Sequence, residues 1–355
     1  MHPNCDTFGS VSLQGLSMKP ALPILCVLTL QAAAQPDAGY HIGNSLTWDC
    51  QPEMIELMIA EQNESLSTGF HINCNHSLDQ IVGDPSQTCV TPVPEFGTFQ
   101  NALTQVDLDY ITVQPYWTTT STLTTDQIVI QYFDSLLSAN PENEDTVLYL
   151  YQAWGARWFM RDGYWYEPID TNETVPTTPA NEYFEILYAN IDTLLDRPVR
   201  LIPAAQVLLE IQDRIWNDEL PGVISLIPFY RDDIHMSEDL GRFAISVTVA
   251  SVLYDRPPFG MYVKWVDERG DGGYSLDVYR EIEYAVWDVV TSDPRTGVHP
   301  CLADTNRDGV LTPQDFTAWL AAYNSGSSIA DQNRDGRNSP RDFTIWIDSF
   351  NDGCP

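Results

Sequence analysis

Asp109-Tyr110-Ile111-Thr112-Val113-Gln114 and Thr146-Val147-Leu148-Tyr149-Leu150-Tyr151 are nearly unbroken runs of apolar and β-prone residues. A strand with water on one face alternates apolar with polar side chains. A strand covered on both faces has no reason to alternate, so these two runs read as central strands of a parallel sheet. Outward from them, between roughly residues 37 and 290, short apolar runs alternate with stretches of helical periodicity, as crossover units require. Strands are expected near 39–45, 69–74, 108–115, 146–153 and 199–204. Helices are expected near 51–62, 98–106, 124–139, 180–195, 205–218, 237–253 and 275–291, which makes the fold class α/β. In such sheets chemistry gathers at the carboxyl ends of strands, where Ser45, Cys74-Asn75, Gln114 and Trp154 fall.

Ile42-Gly43-Asn44-Ser45-Leu46-Thr47 closes the first strand, and 190 residues beyond Ser45 comes His235, within Asp232-Asp233-Ile234-His235-Met236-Ser237. A free serine hydroxyl is a poor nucleophile, so it needs an imidazole to take its proton and a carboxylate to orient the imidazole. Taken alone, Ser45 fits a helix cap as well as a nucleophile. Asp232 and His235, three apart on one turn, can join carboxylate to Nδ1 and leave Nε2 facing a serine. Asp233 reads as solvent-facing or bonded to backbone, and Ser237 as the cap of the following helix. His41, His71 and His76 lack a carboxylate at comparable spacing and read as structural.

With Ser45 in a first block and Asp232 and His235 in a last block, the chain resembles an SGNH (GDSL-type) hydrolase over most of residues 39–255. The resemblance implies a flavodoxin-like three-layer sheet and ester hydrolysis through an acyl-enzyme on Ser45, with no cofactor for catalysis. It also implies an oxyanion hole made of the Ser45 N–H, a second-block backbone N–H and a third-block side-chain amide. The second-block position is Asn75 where the family has glycine, and the third is Gln114 where asparagine is usual. A backbone N–H survives the first change, and glutamine offers the same amide donor on a longer arm. A divergent branch of the family fits best. Trp154, Trp158 and Trp165, with Phe159, Tyr164 and Tyr166, crowd the segment after the fourth strand as candidates for substrate binding. Their rings would stack on sugar faces or grip an acyl group; a lid packed on its own aromatics is the alternative. Arg157 and Arg161 would meet a substrate carboxylate or pair with nearby acids.

Near the C-terminus Asp304, Asn306, Asp308, Gly309, Thr312 and Asp315 recur 27 residues later as Asp331, Asn333, Asp335, Gly336, Ser339 and Asp342. Oxygen side chains at loop positions 1, 3, 5, 9 and 12, a carbonyl at 7 (Val310, Arg337) and glycine at 6 suit calcium. Each loop enters a helix at Thr312-Pro313 or Ser339-Pro340, with Phe316, Trp319 and Tyr323 matching Phe343, Trp346 and Phe350. No entering helix precedes either loop. These loop-helix units, flanked by Gly353-Cys354, resemble a dockerin over residues 300–355, which implies two structural calcium ions and a cohesin-like or cell-surface receptor. Gln314 and Arg341, at equivalent positions, are candidate contacts.

The formal charge of −33 reflects scarcity of base, with Lys19 and Lys264 the only lysines, so nothing would neutralise the phosphates of a nucleic acid. Met18-Lys19, the apolar run Ala21 to Leu30 and Ala32-Ala33-Ala34 read as a signal peptide over residues 1–34, starting at Met18. About ten apolar residues cannot cross a bilayer that needs roughly 20, and no later segment is apolar enough to span. Export leaves five cysteines. Cys301 and Cys354 bracket the C-terminal module and are expected to pair. Cys74 with Cys89 would close a loop of about 15 residues and stabilise by roughly 3 kcal/mol, leaving Cys50 buried or free, unless Cys50 is the true partner of one of them. The expected organisation is a hydrolase-like domain at 35–290, a linker at 291–300 and a dockerin-like domain at 301–355, in a secreted or cell-surface protein. Because dockerin-like appendages accompany polysaccharide enzymes, O-acyl groups such as acetyl on glycans are the expected substrate. A catalytically silent glycan-binding module and a lipase or arylesterase are the alternatives.

Overall fold

A computed structural model of the chain describes residues 36–60, 65–115, 123–157, 160, 180–298, 300–306, 310–325, 330, 332 and 338–353. The expected signal peptide, Trp158, Trp165 and their aromatic neighbours Phe159, Tyr164 and Tyr166, Arg161, Asp308, Asp331, Asn333, Asp335, Arg337 and Cys354 lie outside the described residues.

The two runs that decide the fold are β3 (Tyr110–Val113) and β4 (Val147–Tyr151), joined by β1 (Ala38–Gly43), β2 (Ser67–Ile72) and β5 (Val199–Ile202). All neighbours pair in parallel, in the order β2-β1-β3-β4-β5, which is compatible with a flavodoxin-like fold. Every residue of β3 is buried, because helices cover both faces of the sheet. One packed group of helices holds α3 (Leu78–Gly83), α4 (Phe99–Gln105), α5 (Leu123–Leu137) and α6 (Ala180–Leu194). The other holds α2 (Pro52–Ala60), α7 (Ala204–Trp216), α8 (Leu240–Leu253), α9 (Met261–Arg269) and α10 (Leu276–Ser292). All residues of α8 are buried, as a helix with apolar side chains on most of its circumference demands, and its polar members Arg242, Ser246, Thr248 and Ser251 find partners inside.

The chain leaves β1 for β2 on one side and returns to β3 on the other. This reversal opens a crevice at the carboxyl ends of β1 and β3, where open α/β sheets carry their sites. All five strands stop two residues before their expected ends: β1 at Gly43, β2 at Ile72, β3 at Val113, β4 at Tyr151 and β5 at Ile202. The segment expected as a linker also begins differently. After α10 a 3₁₀ turn (Pro294–Thr296) is capped by the Asp293 carboxylate, Thr296 and Val298 are buried, and Arg295 pairs with Glu185 of α6 and with Asp293. Residues 291–298 therefore pack with the large domain.

Beyond them, α11 (Pro313–Ser325) and α12 (Pro340–Asp352) share a separate small core of Ala303, Trp319, Ala330 and Trp346. The Trp346 indole N–H donates to Thr305 Oγ1 at 2.9 Å, which gives the buried ring's polar edge its partner. Both helices start at the expected proline, and Ser339 with Asp342 forms a capping box. No described helix is long and apolar enough to cross a membrane.

Candidate active site

At the end of β1 a Cβ on Gly43 would lie 2.1 Å from Thr47 Oγ1 and 2.9 Å from Gln114 Cβ, so only glycine lets the chain turn here. Asn44 follows in extended conformation and opens a short helix, α1 (Ser45–Trp48). Its Oδ1 accepts the Leu46 N–H at 3.0 Å, and its amide nitrogen donates to the His76 carbonyl at 3.3 Å. Asn44 is thus the cap, which relieves Ser45 of that task. Ser45 is the first helical residue, half-buried, and its N–H has no acceptor among the described residues.

His235, the expected base, comes from the loop that precedes α8. Tyr230 and Met236 form an antiparallel bridge, and the Arg231 N–H donates to the His235 carbonyl at 3.0 Å. Inside this tight loop Asp232 Oδ1 accepts the N–H groups of Ile234 and His235 at 3.0 and 2.8 Å, and Oδ2 lies 2.9 Å from His235 Nδ1. The other ring nitrogen, Nε2, lies 2.9 Å from Ser45 Oγ. Partial burial pulls the Asp232 carboxyl upward, but the two backbone N–H groups and the imidazole outweigh it and hold it down to about 2. An ionised Asp232 fixes the proton on Nδ1 and leaves the lone pair of Nε2 toward the hydroxyl. Ser237 Oγ accepts the Gly241 N–H at 3.0 Å, but the N-cap position of α8 falls on Asp239, two residues later than expected.

Trp154 departs from expectation. It is 1% exposed, and its indole N–H donates to the Ile234 carbonyl at 2.7 Å, so it supports the His235 loop from within the core and offers no face to a substrate. A buried indole must find an acceptor, and the loop carbonyl is the one in reach. Arg157 takes the second of its expected roles: its side chain pairs with Asp233 at 3.3 Å and its N–H donates to the Asp233 carbonyl at 3.0 Å.

A cleft of about 380 Å³ opens over Ser45 and His235, walled by Leu46, Trp48, Cys74, Asn75, Arg231 and Ile234. Asn75 is exposed here with φ of 60°, one of the few residue types that tolerate the left-handed region, which accounts for asparagine where the resemblance expects glycine. Gln114, the other expected oxyanion donor, faces inward. It is 1% exposed, its amide nitrogen donates to the Pro115 carbonyl at 2.6 Å, and Oε1 accepts from Asn44 N–H and Thr47 Oγ1 at 3.3 and 3.1 Å. The longer arm folds back to brace the turn before Ser45 and does not reach the cleft lining. Asn73, at the end of β2, has a buried amide nitrogen with no acceptor among the described residues.

The aromatic wall of the cleft is Trp48, whose ring meets Phe70 edge-on at 5.1 Å. Trp48 and Arg231 were not anticipated from sequence, because neither stands in a recognisable spacing. Cys74 and Cys89 are bonded as expected, fastening the cleft's Asn75 wall, while Cys50 is free and buried. Cys301 is a disulfide cysteine, and its expected partner lies outside the described residues. His41 is bound to Thr112 Oγ1 at 2.9 Å, and burial lowers its pKa to about 3. His71 accepts the Phe99 N–H at 3.4 Å and is likewise lowered by burial, while His76 lies 2.8 Å from the Cys74 carbonyl. All three serve local structure.

In the C-terminal loops, Asp304, Asp315 and Asp342 are buried. Asp315 takes the N–H groups of Thr312 and Asn306 at 2.7 and 3.3 Å and the Thr312 hydroxyl at 3.4 Å, with no cationic side chain against it among the described residues. No group of three or more His, Cys, Asp or Glu side chains converges as a metal site among the described residues. Compared with family models, curated proteins and solved structures, the chain matches none.

Proposed function

We propose that this chain is a serine esterase, a divergent SGNH-type hydrolase that cleaves carboxylic esters through an acyl-enzyme on Ser45. The single observation behind the reading is the continuous relay Ser45 Oγ, His235 Nε2, His235 Nδ1, Asp232 Oδ2, with both links at 2.9 Å. In the first half-reaction Nε2 takes the hydroxyl proton as Oγ bonds to the ester carbonyl carbon. The tetrahedral intermediate then expels the alcohol oxygen, which leaves with the proton from Nε2. In the second half water attacks the acyl-enzyme, gives its proton to Nε2, and releases the carboxylic acid and free Ser45. With Gln114 turned inward, the developing oxyanion falls to the Ser45 N–H and the backbone at Asn75, beside the same cleft.

A cleft of about 380 Å³ is near the small end of ligand sites and suits a short acyl group with one sugar ring against Trp48. O-acetyl groups on carbohydrates are the proposed substrates. Release of acetate or alcohol from a panel of acetylated sugars, short acyl esters and lipid esters tests this, with turnover expected for the first two classes. The inward commitment of Gln114 favours one second reading, a silent glycan-binding module. Glycan binding with no ester turned over would select it, and preference for long lipid esters would select a lipase.

We also assign a dockerin-like role to residues 301–355, in a secreted or surface-attached protein with a cohesin-like receptor. The donor chemistry fits calcium. Asp304, Asn306, Asp308, Val310, Thr312 and Asp315 would hold one ion, and Asp331, Asn333, Asp335, Arg337, Ser339 and Asp342 the other, through hard oxygens. The buried Asp315 carboxylate, supported among the described residues by neutral donors, is the kind of charge a cation compensates. Calcium binding is folding energy for such modules, so chelation is expected to raise hydrogen exchange across residues 301–353 while kcat stays unchanged. Loss of activity in step with calcium removal would contradict independent domains.

A further inference from the structure

The helix that carries Ser45 and the loop that carries His235 are tied together by one carboxylate that the relay does not use. Asp49 caps the C-terminal end of α1, and its N–H donates to the Ser45 carbonyl at 3.2 Å. One of its oxygens accepts the N–H of Met236, the residue after His235, at 2.8 Å; the other accepts Arg242 Nε at 2.9 Å. Asp49 is fully buried, Met236 is fully buried, and Arg242 is 6% exposed within the all-buried α8. A buried carboxylate needs donors on both oxygens. Here the donors come from the base loop and from the helix that follows it.

We propose that Asp49 is a positioning residue of the Ser45–His235 pair, its carboxylate setting the gap between Oγ and Nε2 by holding Met236 against α1. The covalent path is short: Ser45 lies one helical turn before Asp49, and His235 immediately precedes Met236. Few atoms between these points can relax without changing the gap. Arg242 keeps the strut rigid, since it also pairs with Glu238 on the same stretch of chain. The importance of this gap for turnover rests on the esterase reading; the positioning itself does not.

Two double variants separate positioning from mere stability. Asp49→Leu with Arg242→Leu removes the buried ion pair as a unit, a change that proteins often tolerate without losing stability, and deletes the acceptor for Met236. Asp49→Asn with Arg242→Leu also removes the charge but keeps a carbonyl oxygen that can accept the Met236 N–H. For an ester that the wild type turns over, the Leu/Leu protein is expected to lose roughly 100-fold in kcat with KM little changed, as an error of about 1 Å at the reacting atoms does. The Asn/Leu protein is expected to recover at least about tenfold of that loss.

A second readout needs no turnover. Exchange of the His235 Nδ1 proton, followed by NMR on histidine-labelled protein, is expected to quicken roughly tenfold or more in the Leu/Leu variant and to return toward wild type in the Asn/Leu variant. Matching exchange in both doubles and the wild type, with unchanged melting temperatures, overturns the proposal whether or not the protein is an esterase. An inactive wild type whose His235 exchange still follows the Asp49 acceptor would sink the esterase reading alone.

Discussion

Replacement of Ser45 by alanine is expected to lower kcat for a short acyl ester by roughly 10⁴- to 10⁶-fold, the range in which loss of an activated serine leaves only binding and oxyanion stabilisation. The fold should hardly notice. Ser45 is half-buried, its hydroxyl meets only His235 among the described residues, and the helix cap is supplied by Asn44, which the change leaves in place. Melting temperature and KM are therefore expected to stay near wild type, which separates this variant from a merely unfolded one. His235→Ala should cost about as much, and the double variant little more than either single, because the two side chains act as one unit. Steady-state kinetics on the three proteins, with circular dichroism as the folding control, measures this. Additive losses, or a Ser45→Ala protein that still turns over ester, would place the chemistry elsewhere.

Asp232→Asn is expected to lower kcat by roughly 10³-fold, less than the ~10⁴-fold cost of a buried triad aspartate, because solvent reaches half of this carboxylate and partly substitutes for it. The amide oxygen can still accept the N–H groups of Ile234 and His235, so the loop keeps its shape. What changes is the partner offered to Nδ1, where an amide NH₂ pushes the ring toward the wrong tautomer. The pH dependence follows from the direction of the shift. The folded-state pKa is lowered to about 2, so the carboxylate charge is present above that value and is lost only as pH falls through it. The deficit of the Asn variant relative to wild type is thus expected to be constant from neutral pH down to about 4. A deficit that vanishes by pH 5, measured as kcat/KM across the acid range, would assign Asp232 some other role.

The five strands and the serine–histidine–aspartate set were legible in the chain because each carries a local signature. Strands announce themselves by unbroken apolar runs such as Tyr149-Leu150-Tyr151, and Asp232 with His235 by spacing on one turn. The helices α1, α3 and α9 were missed for the opposite reason: four and six residues are too few for a period of 3.6 to register, and α9 buries only Met261 and Trp265 along its nine residues. Trp154 and Gln114 stood at the expected strand ends, but which way a side chain turns there depends on acceptors from remote segments, the Ile234 carbonyl and the Asn44 N–H. Asp49 was invisible altogether. A lone aspartate after a short helix looks like any solvated acid until Arg242, 193 residues away, is packed against it. Residues 291–298 have the composition of a linker, yet burial of Thr296 and Val298 is decided by the surface they happen to meet.

Three ties join α1 and the residues just after it to a stretch synthesised nearly two hundred residues later: His235 to Ser45, Met236 to Asp49, Ser246 Oγ to the Cys50 carbonyl. Closure of so long a loop is entropically costly and must wait until the intervening strands and helices have shortened the distance. During synthesis or refolding, secondary structure would recover well before the hydroxyl has an imidazole to face. On the esterase reading, regain of catalysis would therefore time the docking of α8 onto a sheet already formed, and the nascent chain would stay inert toward esters until nearly all of its large domain had emerged.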